Sequence, residues 1–177
     1  MKPLKPFMLR RWRIGSSADG SQTYFYTCAR PGRSKDPATK KARVPDDVVH
    51  RWVLGLPRPK TAVLSLLGRK PDRTSEFTFY SFYGGFDSSH EHSGAMSFQE
   101  WLDHWHGDLS ILVLEHPTED FEQIDPANLD KIASDIRQLS QAGRTVVVVD
   151  SGGVTRTGQV CRHMHAAEVT GWVETRK

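Results

Sequence analysis

No part of this 177-residue sequence is apolar over the roughly 18 residues that a membrane-crossing helix needs. No apolar run of signal-peptide length follows Met1-Lys2-Pro3 either, so the expectation is a cytoplasmic protein with no membrane partner. Cysteine is scarce. Cys28 and Cys161 are too few for a disulfide framework, which fits a reducing interior. Acidic residues are thin in the first third: residues 1–60 carry 14 Lys/Arg against 4 Asp/Glu, while the rest carries 10 against 17. A basic region of this kind can meet an anionic surface, nucleic acid or a phosphorylated partner, or can dock on the acidic remainder. Nucleic-acid binding rests on charge alone and is the weakest of these expectations. Metal-ligand spacing is also missing. His90-x-His92 falls in a Gly/Ser-rich run, and His104-x-His106 on a helix would not share a face, so neither a metal nor a cofactor is expected.

The chain has the length of one domain with a real core, spanning 1–177. Phe7–Ile14 reads as an edge strand and Gln22–Cys28 as a strand, with a polar turn at Gly15–Gly20 between them. Pro31–Arg43 is basic, proline-broken and aperiodic, hence a loop. Pro45 starts a short helix with Val48, Val49, Trp52 and Val53 on one face, stopped by Gly55 and Pro57. Thr61–Leu67 is a buried strand. The aromatic run Phe77, Phe79, Tyr80, Phe82 and Tyr83 is expected as a strand or hairpin arm, followed by a loop at Gly84–Gly94. Ser97 and Glu100 have capping-box spacing and begin a helix through Trp101 and Trp105. Leu109–Glu115 is the next strand. Asp125-Pro126 caps a helix whose stripe is Leu129, Ile132, Ala133, Ile136 and Leu139, ending at Gly143. Strands alternating with helices predict an α/β fold, a central mostly parallel sheet flanked by helices.

The chain is organised around Val146–Gly158, VVVVDSGGVTRTG. Four valines predict a strand buried on both faces. Asp150-Ser151-Gly152-Gly153 ends it, and apolar residues resume at helical spacing from Gly158 with Val160, Met164 and Ala167. A strand, a glycine loop and a helix point backbone N–H groups and a positive helix end at an anion, and Arg156 adds a bidentate donor. A Walker loop is excluded, because Gln159 and Val160 follow Gly158 where Lys and Ser/Thr are needed. No GxGxxG is present. Gly152 replaces the second aspartate of an aspartyl-phosphate phosphatase motif.

The loop resembles that of the cysteine-dependent tyrosine and dual-specificity phosphatases, a strand ending in His-Cys, five residues, then Arg-Ser/Thr-Gly. Arg156-Thr157-Gly158 match its end, while Asp150 stands in the cysteine position and Val149 in that of the histidine. Glu119-Asp120-Phe121 lies thirty residues earlier, where small dual-specificity members carry a general-acid aspartate, with Pro126 and Gly143 at the family's positions between. The similarity covers roughly Thr61–Leu67 and Leu109–Val173. Residues 1–60 are then a basic N-terminal extension with the first helix, and 70–107 an insertion that a minimal dual-specificity domain does not need.

The resemblance implies that the amides of Ser151, Gly152, Gly153, Val154, Thr155 and Arg156 cradle phosphate and that Arg156 clamps it. It also implies Asp120 as the acid and Thr157 as the hydroxyl that assists breakdown of a phosphoenzyme. Only the nucleophile's position lacks its thiol. An ionised Asp150, the form that electropositive amides favour, would repel a phosphate charge ~4 Å away by roughly 4 kcal/mol at an effective dielectric near 20. That weakens binding on the order of a thousandfold. The carboxylate can also turn inward and accept the loop's own N–H bonds or pair with Arg156. The leading expectation is therefore a catalytically inactive phosphate-loop domain, a pseudophosphatase acting as a binding or scaffolding module. Its partner would be a phosphate-bearing protein or small molecule, or a protein docking through Gly68–Gly107. The alternative is an active phosphoric monoester hydrolase with Asp150 as nucleophile, since carboxylates attack phosphorus in aspartyl-phosphate enzymes.

Overall fold

The computed structural model describes residues 9–15, 22–32, 46–58, 60–68, 97–119 and 122–170. The basic stretch 33–43, the aromatic run 77–83, the loop with His90 and His92, and Asp120 lie outside them. Within the described residues six strands form one mixed sheet: β1 (Arg10–Ile14), β2 (Thr23–Ala29), β3 (Thr61–Ser65), β4 (Leu112–Glu115), β5 (Thr145–Asp150) and β6 (Ala167–Val169). Their order is β4-β3-β5-β2-β1-β6. β4, β3, β5 and β2 run parallel to one another, and β1 is antiparallel to both β2 and β6. Among the described residues four helices cover the faces: α1 (Asp46–Leu54), α2 (Phe98–His106), α3 (Pro126–Gln141) and α4 (Thr155–His163). No helix among the described residues is long and apolar enough to cross a membrane.

β5 is the centre because its sequence suits burial on both sides. Val146, Val147, Val148 and Val149 are wholly buried, and alternate valines serve opposite layers. Val147 and Val149 pack with Trp52, Val53, Phe98 and Trp101 of α1 and α2. Val146 and Val148 pack with Ile132, Ile136, Val160 and Met164 of α3, α4 and the turn after it. Each buried valine contributes about 1.5 kcal/mol or more.

The helix ends follow local chemistry. Ser97 and Glu100 close a reciprocal capping box at α2. Asp125 accepts from the Ala127 amide, and Pro126 opens α3, which stops where Gly143 takes a φ of 81°.

Three expectations need correcting. The first strand is not an edge, since β6 pairs along its outer side and Arg10 grips Glu168 through two hydrogen bonds of 2.9 and 2.8 Å. Ala167 belongs to that strand and not to the last helix. The strand expected from Leu109 begins at Leu112, because a 3-10 turn at Gly107–Leu109 prolongs α2 and Ser110 takes a left-handed conformation.

Candidate functional site

The carboxyl end of β5, the middle of the sheet, carries the candidate loop, as open α/β sheets favour. Residues 151–154 bend, and Thr155 starts α4 three residues earlier than apolar spacing alone implies. Gly153 makes the bend possible. Its φ is 70°, and a Cβ there would lie 2.5 Å from the Ala29 nitrogen and 2.6 Å from the Cys28 carbonyl carbon. The loop is thus pressed backbone to backbone against the end of β2, where only glycine fits.

Asp150 turns inward. It is 2% exposed. One carboxylate oxygen accepts the Gly153 amide, and the other accepts the Thr157 amide at 2.9 Å. Both oxygens act only as acceptors, which suits the ionised carboxylate. Val154, the nominal cap of α4, provides no side-chain acceptor, so Asp150 does that work from the preceding strand. The helix's positive end offsets part of the cost of burying the charge. Among the described residues, no acceptor meets the amides of Ser151, Gly152, Val154 or Thr155. Four of the six expected cradle donors are therefore not engaged by the described part of the fold.

Arg156 is also buried, at 1% exposure. Its Nη1 donates to the Leu66 carbonyl at 3.1 Å and to the Thr118 carbonyl at 3.2 Å. Thr118 returns to Leu66 through its hydroxyl at 2.6 Å and its amide at 3.2 Å. The arginine thus ties the end of β3 to the segment that leads to Asp120. Gln159, one turn later, holds the far side of that segment. It accepts the Ile124 amide at 2.7 Å and donates to the Glu122 carbonyl at 3.1 Å. Sequence reasoning cites Gln159 only as a mismatch to a Walker loop. Its spacing of three from Arg156 is the signal that both face the same segment.

Loop, Arg156 and Thr157 are therefore brought together at one end of the sheet. For Thr157 it is the amide that meets Asp150, and its side chain is buried. Both cysteines are buried and unbonded to each other. Burial raises the Cys28 thiol, and the charge of Asp150 raises it further. Cys161 is pushed up to about 12, chiefly by burial, with Arg10 and Arg162 opposing. Among the described residues, no cluster of three or more His, Cys, Asp or Glu side chains is placed to hold a metal.

No protein-family model matches the sequence, and no curated protein matches it. Solved structures do. Kinase associated phosphatase, in a form whose catalytic-site cysteine is replaced by serine, superposes with a TM-score of 0.53 at 16% identity, over 91% of this chain and 75% of that one. Tk-PTP in its active form gives a TM-score of 0.40 at 17% identity, over 77% of this chain and 63% of that one. The likeness to kinase associated phosphatase, at that identity, shows a common α/β phosphatase-like fold, in agreement with the sheet and the helices described above.

Proposed function

We propose that this chain is a phosphate-loop domain that binds a phosphorylated partner without hydrolysing it. The observation that carries the reading is the state of Asp150. Its two oxygens are occupied by the Gly153 and Thr157 amides, so the group at the attacking position is spent as an internal cap. Each oxygen keeps one lone pair beyond the bond it accepts, but turning the carboxylate out toward phosphorus would strain or uncover these N–H bonds, at about 1–3 kcal/mol for each buried N–H left unmet. Phosphate binding needs less. The amides of Ser151, Gly152, Val154 and Thr155, at the positive end of α4, remain available to an anion beside the buried Asp150 charge. The fold of a phosphatase supports the reading by analogy of architecture.

Aryl-phosphate hydrolysis with and without magnesium tests it. The expected result is no turnover by the wild type in either condition, and vanadate-sensitive turnover by Asp150→Cys. Wild-type turnover that Asp150→Asn abolishes would establish Asp150 as a nucleophile, with Asp120 the candidate acid, and would overturn the non-hydrolysing reading.

A further inference from the structure

Beside the loop lies a pocket of about 600 Å³ that no step above uses. One wall is a face of α4 and its flanks: Val154, Gly158, Arg162 and His165. The other is β1, through Arg10 and Trp12. Val154, which is 61% exposed, belongs to the loop itself, so the pocket adjoins the loop. Arg162 leans back along the helix, because a Cβ on Gly158 would sit 3.3 Å from its Nη1. The guanidinium thus lies one turn closer to the loop than its own Cα.

The chemistry of the pocket is mixed. Trp12 forms a fixed apolar wall, with its Nε1 held by Thr27 Oγ1 at 2.9 Å and Arg10 stacked 4.8 Å from its ring centroid. Arg10 is already paired with Glu168 at 2.8 Å. Arg162 and His165 are exposed, and among the described residues no carboxylate pairs with Arg162. An apolar wall with one open guanidinium fits the methylenes and carboxylate of an acidic side chain. A densely charged polyphosphate would meet an apolar wall and too few cations.

We infer that this pocket is a subsite for an acidic residue flanking the phosphorylated residue of a peptide bound at the loop. The inference rests on the phosphate-binding reading and names the kind of partner it would select. It also supplies what that reading needs, since the Asp150 charge weakens the cradle and neighbouring contacts must add affinity.

Fluorescence anisotropy with labelled phosphotyrosine and phosphothreonine peptides tests it, each made with Glu or with Gln at the flanking positions. The expected result is about fivefold tighter binding of the Glu version, the scale of one exposed charge pair. R162E should bring the ratio of the two affinities to one, and R162K should keep most of the preference. Equal affinity of the Glu and Gln peptides for wild type, or a preference that survives R162E, would overturn the subsite alone. Failure of every phosphopeptide to bind would overturn the phosphate reading and the subsite with it. Inositol hexakisphosphate that displaces the Gln peptide from wild type but not from R162E would assign the pocket to a polyphosphate instead.

Discussion

The two ends of α4 solve the same problem in different ways. A helix leaves N–H groups unsatisfied at its start and carbonyls at its finish. At the start, Thr155, the chain reaches back to the preceding strand. Asp150 accepts the Thr157 amide, while its other oxygen shapes the loop through Gly153. At the finish the solution is local. His165 takes a φ of 51° and donates its amide to the Arg162 carbonyl at 3.1 Å, and Ala166 donates to the Cys161 carbonyl at 2.9 Å. That is a Schellman closure with histidine where glycine is usual. The first end buries a charge beside the loop that we propose binds an anion. The second turns the chain so that β6 can pair with β1. One end carries the proposed site, and the other completes the sheet.

The largest expected effect lies at the first end. Gly153→Ala would place a methyl against the β2 backbone at a positive φ, and neither backbone can yield cheaply. We expect a loss of about 3 kcal/mol or more, read as a fall in the urea midpoint. A change below about 1 kcal/mol would mean the loop is not pressed on β2. Asp150→Ala comes next. Removing both acceptor oxygens strands two amides, at a cost of about 2–3 kcal/mol in thermal unfolding, and Asp150→Asn should cost less because one oxygen remains. Stabilisation by Asp150→Ala would show that the buried charge is a burden and not a cap. The smallest effect is at the second end and has the opposite sign. His165→Gly relieves the left-handed backbone and should raise stability by about 0.5–1 kcal/mol. A loss would mean that the histidine side chain matters more than its backbone.

The same contrast separates what the sequence discloses from what it conceals. The first end is written in residue order. Four valines, an aspartate, two glycines and Arg-Thr-Gly specify strand, turn and helix, and the capping signals at Ser97, Asp125-Pro126 and Gly143 are equally direct. The second end is not. A histidine in left-handed conformation carries no compositional mark, so Ala167 reads as one more helical residue and β6 goes unseen. With β6 missing, β1 reads as an edge strand. Ser110 hides the start of β4 in the same way.

Within the site, the residues of the loop are legible, but their bonding is not. That Asp150 would face its own amides was one of two open outcomes, because the choice depends on Gly153 lying against Ala29 across the sheet. The clamp of Arg156 and Gln159 on the segment from Thr118 to Ile124 depends on contacts 35 or more residues apart in the chain, such as Gln159 with Ile124. No local pattern encodes them.

The central claim is that Asp150 holds a negative charge inside a cradle otherwise able to bind phosphate. Calorimetric titration of inorganic phosphate into wild type and Asp150→Asn tests it most directly. With the charge removed, binding should tighten, by up to about a thousandfold if the full repulsion is relieved. Equal or weaker binding by Asp150→Asn would contradict the account, because the carboxylate would then be no obstacle to the anion.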